Sequence, residues 1–242
     1  MRTGHIPRFH VAAPLAAGAT IELPREAAHH ATRVLRLRIG ESLTLFNGSG
    51  GEYAAAIASI ARDGVTVVVG AHQAHDRESP LAVTLVQGIA GADRMDFIIQ
   101  KAVELGAAAI QPVLTSKSIV RLSKECGEAR LGHWQRIVIA ACEQCGRNRI
   151  PEVFPAEPLA EYSPPPDAVK VMLSPQATTD LKALAQSPLV LAVGPEAGFD
   201  SAEEKLLAQK GFVAARLGPR ILRTETAALA ALAALNAIRG DF

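Results

Sequence analysis

From residue 82 onward the chain alternates short apolar runs with longer stretches of helical periodicity, and that rhythm limits the fold more than any other property. The apolar runs are Ala82 to Gln87, Ile110 to Leu114, Val169 to Leu173, Leu189 to Val193 and Val213 to Leu217. Between and after them come helical stretches at Asp93 to Leu105, Glu128 to Cys145, Thr179 to Gln186, Ser201 to Gln209 and Thr224 to Arg239. Such alternation predicts βαβ units, hence an α/β fold with a parallel sheet. Five prolines between Pro155 and Pro166 predict a surface loop in this part.

The first 72 residues follow a different pattern. Strands are predicted at Arg8 to Val11, Ser42 to Phe46, Glu52 to Ile60 and Val65 to Val69, with Asn47-Gly48-Ser49-Gly50-Gly51 as a turn. One helix, Arg25 to Leu35, is opened by Pro24 and followed by Gly40. Several short strands around one helix predict a small β-barrel. The expected organisation is therefore a barrel domain over 1–72, a charged and proline-closed linker over 73–80, and an α/β domain over 81–242.

Composition narrows the classes. Hydrophobic residues at 49% and charged residues at 20% argue for a globular chain and against disorder. The longest apolar stretch, Ala227 to Leu235, falls well short of the roughly 18 to 20 residues that cross a bilayer. No long apolar segment follows Met1 to His5, so a cytoplasmic protein without a membrane partner is expected. Cys126, Cys142 and Cys145 are too few for a disulfide framework, and Cys142-x-x-Cys145 lacks the second pair a zinc site needs. His29 and His30 have no partner at metal spacing, and no metal is expected. Net charge is only +1, yet Lys117, Arg121, Lys124, Arg130, Arg136, Arg147 and Arg149 outnumber the three acids Glu125, Glu128 and Glu143 in one stretch. Such a local excess suits either phosphate contact or a solvated helix face.

Two glycine-rich turns follow apolar runs near the C-terminus: Gly194-Pro195-Glu196-Ala197-Gly198, and the segment from Leu217-Gly218 to Ala227. Turns at the carboxyl ends of neighbouring parallel strands form the crevice where open α/β sheets bind ligands. Asp200 with Glu203 makes a partial capping box, so a helix begins just after the first turn. No G-x-x-x-x-G-K-[ST] or G-x-G-x-x-G follows a strand, and G-x-S-x-G and H-E-x-x-H are absent as well. A pocket lined by backbone and by apolar Ile221 and Leu222 suits an adenine-bearing cofactor without phosphates.

These residues carry a resemblance. Gly194-Pro195-Glu196-x-Gly198-Phe199, with Leu217-Gly218-x-Arg220-Ile221-Leu222-Arg223-x-Glu225-Thr226-Ala227, resembles the S-adenosylmethionine loops of SPOUT-class RNA methyltransferases. More closely, the chain is similar to the bacterial 16S rRNA uracil-N3 methyltransferase family. Pro7-Arg8-Phe9, His30-x-x-Arg33-Val34-Leu35-Arg36, Gln100-Lys101-x-x-Glu104-Leu105-Gly106 and Glu143-Gln144-x-Gly146-Arg147-x-x-Ile150-Pro151 agree in order. Ala197 stands where that family has a second glycine.

The resemblance implies a trefoil-knotted C-terminal SPOUT domain behind an N-terminal PUA-like β-barrel. It also implies S-adenosyl-L-methionine as cofactor, a homodimer, and N3 of a uridine in 16S rRNA of the small ribosomal subunit as acceptor. Cofactor contacts are expected from Leu173, Gly194, Glu196, Gly198, Leu217, Gly218, Ile221, Leu222, Thr226 and Ala227. Arg223 is expected at the reaction centre, holding a phosphate or stabilising a developing uracil anion. Glu196 and Glu225 are each either a base or a carboxylate complementing a helix dipole. RNA contacts are expected from Arg8, Arg33, Arg36, Lys101 and Arg147, although Lys101 and Glu104 are also spaced for a helix-surface ion pair. A noncatalytic RNA-binding dimer, and a SPOUT enzyme acting on another rRNA or tRNA base, are the alternatives.

Overall fold

The computed structural model describes residues 6–62, 64–118 and 124–242, with 124–126 through their backbone alone. Arg121 and the side chains of Lys124 and Cys126 therefore lie outside the described residues. The chain divides into two compact units, one comprising residues up to Glu78 together with Cys142–Ile150, the other Ser79–Ala141 together with Pro151–Phe242.

In the first unit β1 (Arg8–His10), β2 (Thr20–Glu22), α1 (Arg25–His29), β3 (Ser42–Phe46), β4 (Glu52–Ile60) and β5 (Val65–Gln73) follow in order. The strands form one sheet in the order β1-β3-β4-β5-β2, antiparallel except for the β1–β3 pair. Period-two patterning explains its core. Leu43 and Leu45, Ala55 and Ile57, and Val65, Val67 and Val69 all point inward, and Phe9 and Leu23 complete the cluster. The helix predicted over Arg25 to Leu35 is α-helical for one turn, then continues as a π-helical turn over His30–Val34. Strand β2 was not predicted, being short and mostly exposed.

Arg8 is buried in an ion-pair network. Only 8% exposed, its guanidinium pairs with Glu52, donates to Asn148 Oδ1 at 2.6 Å and to the Arg147 carbonyl at 3.2 Å, and lies 5.0 Å from the Phe46 ring centre. Glu52 also accepts from His75 Nδ1 at 3.0 Å and Arg77 at 3.1 Å. Burial pushes this carboxyl upward, but Arg8, His75 and Arg77 outweigh it and bring it down to about 2. Arg147 is likewise buried, at 6% exposure, with Nε donating to Glu78 at 2.9 Å. Both arginines thus tie segments of the first unit together through ion pairs. Cys142 is buried with Sγ 3.8 Å from the Arg149 carbonyl, and burial pushes its thiol up to about 12.

The second unit continues with β6 (Val83–Gly88), α2 (Ala92–Glu104), β7 (Ala109–Leu114), α3 (Lys124–Cys145, shared with the first unit), β8 (Glu152–Val153) and β9 (Glu157–Pro158). Then come β10 (Val169–Leu173), β11 (Thr179–Asp180), β12 (Leu189–Val193), α4 (Ser201–Gln209), β13 (Val213–Arg216) and α5 (Thr224–Arg239). Every pair in this sheet is parallel, in the order β11-β13-β10-β12-β6-β7-β8, with β9 added beside β7. All five residues of β12 are buried, as a central strand covered on both faces requires. One face packs Val86, Met172, Val190 and Ala192 against Leu207, Phe212, Leu159 and Tyr162, so the proline-rich loop contributes to the core as well as the surface.

Helix α5 buries Ala228, Ala231, Leu232 and Leu235 at three- and four-residue spacing and packs on α2. Its buried Asn236 donates to the Leu105 carbonyl at 2.8 Å and accepts from Ser79 Oγ at 2.5 Å. The helix expected over Thr179 to Gln186 is instead the two-residue β11, paired with β13, followed by a 3-10 turn at Leu181–Leu184. An ion pair between Asp180 and Arg216 Nε at 2.9 Å fastens that edge.

Candidate active site

A crevice opens at the carboxyl ends of β13, β10 and β12. The two glycine turns do not end neighbouring strands, as their sequence suggests; β10 lies between β12 and β13 and adds Leu173 to the rim. The cavity is about 290 Å³, at the small end of cofactor-sized pockets. Of the residues expected to touch a cofactor, Leu173, Gly194, Glu196, Gly198, Leu217, Gly218, Ile221, Leu222 and Ala227 all line it. Thr226 does not; it is exposed in the first turn of α5, and Thr224 takes a place in the wall.

Local chemistry fixes these loops. Asp200 Oδ1 accepts from the Ala202 and Glu203 amides at 2.8 and 2.9 Å, while Glu203 returns the bond to the Asp200 amide at 2.9 Å, completing the capping box of α4. Hydrogen bonds from Ser116 and from the Glu203 amide hold the Asp200 carboxyl below its ordinary value. Gly88 ends β6 so close to the first turn that a Cβ there would sit 2.6 Å from Pro195 N. Gly218, at φ +72°, adopts backbone that favours glycine, and no atom lies within 4 Å of where its Cβ would be. A ligand can therefore approach that backbone directly.

A buried carboxamide links the two loops. Gln87 Nε2 donates to the Gly88 carbonyl at 2.9 Å and to Thr224 Oγ1 at 3.0 Å, and Thr224 Oγ1 donates to the Gly194 carbonyl at 2.6 Å. The end of β6, the first turn and the start of α5 are thus one hydrogen-bonded assembly. Gln87 carried no motif in the sequence; its position at the end of a buried strand was the available signal.

Beside this cavity lies a second, charged one, lined by Arg94, Glu196, Arg223, Thr224 and Glu225. Glu196 and Thr224 belong to both walls. The three expected catalytic residues, Arg223, Glu225 and Glu196, are brought together here. Glu196 Oε1 accepts from the Gly91 amide at 2.9 Å and from Arg94 at 2.8 Å. Burial pushes the Glu196 carboxyl up, but the Gly91 amide and Arg94 outweigh it and hold the group below its ordinary value. Glu225 differs: its Oε2 is buried without a hydrogen-bond partner among the described residues, and its Oε1 lies 4.0 Å from Arg94 Nε. Arg223, exposed at the N-terminal boundary of α5, makes no ion pair among the described residues.

The expected RNA contacts are dispersed. Arg33 and Arg36 are exposed, and Arg36 has φ +55°, a left-handed conformation rare for a side-chain-bearing residue. Lys101 is engaged with Glu104 at 2.7 Å, the helix-surface ion pair that its spacing also allowed.

Comparison with known proteins places this arrangement. A family model described as an RNA methyltransferase domain matches residues 77–236, and one described as an RNA methyltransferase PUA domain matches 23–70. The chain belongs to the RNA methyltransferase family. Among curated members, ribosomal RNA small subunit methyltransferase E of Buchnera aphidicola is 34% identical over 98% of each chain. The protein of that name from Bacillus subtilis is 30% identical over 92% of this chain and 93% of its own. Among solved structures, the Neisseria gonorrhoeae methyltransferase of that name, bound to S-adenosyl methionine, superposes with a TM-score of 0.92 at 41% identity, covering 98% of this chain and all of the other. A Legionella pneumophila putative methyltransferase with bound cofactor gives 0.94 at 38% identity, over 99% of this chain and all of its own. RNA methyltransferase architecture of this kind accounts for a PUA unit followed by a parallel-sheet unit. Among the described residues no helix is long and apolar enough to cross a membrane.

Proposed function

We propose that this RNA methyltransferase transfers the methyl group of S-adenosylmethionine to N3 of a specific uridine in 16S rRNA of the small ribosomal subunit. The observation that carries this reading is the pair of adjoining cavities, one walled by two glycine turns and apolar side chains with a few polar groups among them, the other by two arginines, two glutamates and Thr224. The names of the curated relatives and the bound cofactor of the Neisseria structure support it. S-adenosylmethionine supplies an electrophilic methyl group when held in the first cavity, whose apolar and backbone lining suits its adenine and lack of phosphate. Gly194, Gly198 and Gly218 would offer it backbone hydrogen-bonding groups, and Leu173, Leu217, Ile221, Leu222 and Ala227 would supply apolar wall.

Uracil N3 bears an imide proton that must leave before the nitrogen can attack. Glu225, with one carboxylate oxygen buried and unengaged, takes that proton; Glu196 is already occupied by Arg94 and the Gly91 amide. Arg223 stabilises the negative charge that spreads onto the uracil oxygens. Because N3 is on the Watson–Crick edge, the uridine enters unpaired or extruded. Residues 81–242 carry this chemistry in a knotted SPOUT arrangement, and residues 1–72, joined through 73–80, bind RNA. The chain works in the cytoplasm as a homodimer, a state supported by the outward-facing apolar Phe97 of α2 and Ile238 of α5, two helices that pack together.

The reading is tested by supplying labelled S-adenosylmethionine with naked 16S rRNA or assembled small subunits and mapping the modified nucleoside. Label on uridine N3 is the expected result. Label on a carbon, on a ribose or on tRNA overturns it.

Two further outcomes follow from the geometry. Gly88→Ala drives a methyl group into Pro195, a strain of about 1–3 kcal/mol. Displacement of the first glycine turn then weakens S-adenosylmethionine binding roughly tenfold, measured by calorimetry. In the RNA-binding unit, replacing exposed Arg33 and Arg36 by alanine lowers the slope of log affinity against log salt by about 1 to 2, since each phosphate contact contributes close to one. An unchanged slope in filter-binding titrations would remove these arginines from the RNA surface.

A further inference from the structure

The geometry assigns Arg94 a positioning role that no motif marks: it balances the charge of the acceptor cavity, keeping Glu225 ready to accept a proton and favouring the uracil anion. This rests on the reading of Glu225 as the base. Arg94 is the third residue of α2, and its guanidinium reaches from that helix to the first glycine turn and to α5. It donates to Glu196 Oε1 at 2.8 Å and lies 4.0 Å from Glu225 Oε1.

The charged groups facing Glu225 are Arg94 from α2, Glu196 from the loop after β12, and Arg223 from the boundary of α5. Two arginines therefore meet two carboxylates, and the cavity is neutral before reaction. When the N3 proton passes to Glu225, the carboxylate becomes neutral and the cavity gains one positive charge, opposite to that left on the uracil. Without Arg94 the balance reverses. Glu196 would remain an anion without its arginine, held by the backbone amides of Gly91 and Glu196, in the wall it shares with Glu225. A like charge beside a carboxylate favours its protonated form, which cannot act as base, and repels an anionic substrate as well. Arg94 thus acts through Glu196 and Glu225, while Arg223 faces the uracil directly.

A charge-balance role differs from a purely structural one in a way that can be measured. Arg94→Gln removes one positive charge; Arg94→Gln with Glu196→Gln restores neutrality while removing even more of the contact. Arg94→Lys keeps the charge. Each protein is assayed for kcat against pH on assembled small subunits, and the Glu225 carboxyl is titrated by carbon-13 NMR in the ligand-free protein.

The expected result is a loss of roughly tenfold or more in kcat at pH 7 for Arg94→Gln, with the acidic limb and the Glu225 midpoint both moved up by about one unit. The double variant recovers most of that loss, Arg94→Lys stays within a few-fold of the parent, and Glu196→Gln alone moves the acidic limb down. The inference is overturned if the double variant is as slow as Arg94→Gln or slower, or if Arg94→Gln moves neither the profile nor the midpoint. Should Arg94→Gln fail to fold, an unmoved profile in Glu196→Gln overturns it equally. Parent-level kcat in Glu225→Gln would defeat the base assignment itself, whereas an inactive Glu225→Gln with unmoved Arg94 variants defeats only the role of Arg94.

Discussion

Arg8→Ala lowers the stability of the first unit by about 3–5 kcal/mol, because it strips the principal cation from a carboxylate that stays buried. The side chains of Arg8 and Glu52 are only 5% and 9% exposed, so water cannot replace the lost partner. His75 and Arg77 remain beside Glu52, but both are about half exposed and hold it less firmly. Asn148 Oδ1 and the Arg147 carbonyl lose a donor at the same time. Urea unfolding followed through the first unit measures the effect. Its pH dependence identifies the cause: the Glu52 carboxyl sits at about 2 in the folded protein against an ordinary 4.5. A depressed carboxyl contributes stability that is complete above pH 4.5 and is lost as pH falls from there toward 2. In Arg8→Ala much of that acid-side slope disappears. A variant with parental stability but a reduced salt slope for RNA would return Arg8 to the RNA surface.

What the sequence reveals and what it hides divide along physical lines. Val169–Leu173, Leu189–Val193, Ser201–Gln209 and Thr224–Arg239 are recovered residue for residue, the strands as short apolar runs closed by turn residues and the helices as longer stretches that follow the two glycine turns. The two-residue strands β8, β9 and β11 exist only through pairing with a neighbour, which no local pattern records. Thr179 to Gln186 reads as helix because Leu181 and Ala185 are four apart and both face inward, yet the segment spends its first residues on the β13 edge.

The site shows the same division. Glycine turns announce a ligand crevice, and nine of the residues that the family resemblance implies as cofactor contacts line it. Arginine, by contrast, shows only its charge in a sequence. The burial of Arg8 and Arg147 in ion pairs leaves no mark in the sequence, and Arg94 looks like any helix-surface cation until Glu196, 102 residues on, closes upon it. The strand between the two glycine turns was hidden too, because a crossover places β10 beside β13 without leaving a trace in either segment.

Glu225→Gln lowers kcat by about 10²–10⁴, or roughly 3–5 kcal/mol of barrier, the usual loss when a positioned base is removed. Glutamine keeps the size of the side chain and its place in the first turn of α5, so the melting temperature and S-adenosylmethionine affinity stay near parental values. That combination separates two explanations of the same carboxylate. If Glu225 served only to complement the helix dipole, neutralising it would cost about 0.3–1 kcal/mol of stability and leave kcat intact. The buried Oε2, without a hydrogen-bond partner among the described residues, argues the other way, since a catalytic role is one of the few reasons for a buried oxygen to lack a protein partner. The residual rate carries a further consequence. With Glu225 neutralised and Glu196 engaged by Arg94 and the Gly91 amide, solvent must remove the N3 proton, and the rate of the variant rises with pH where that of the parent has levelled.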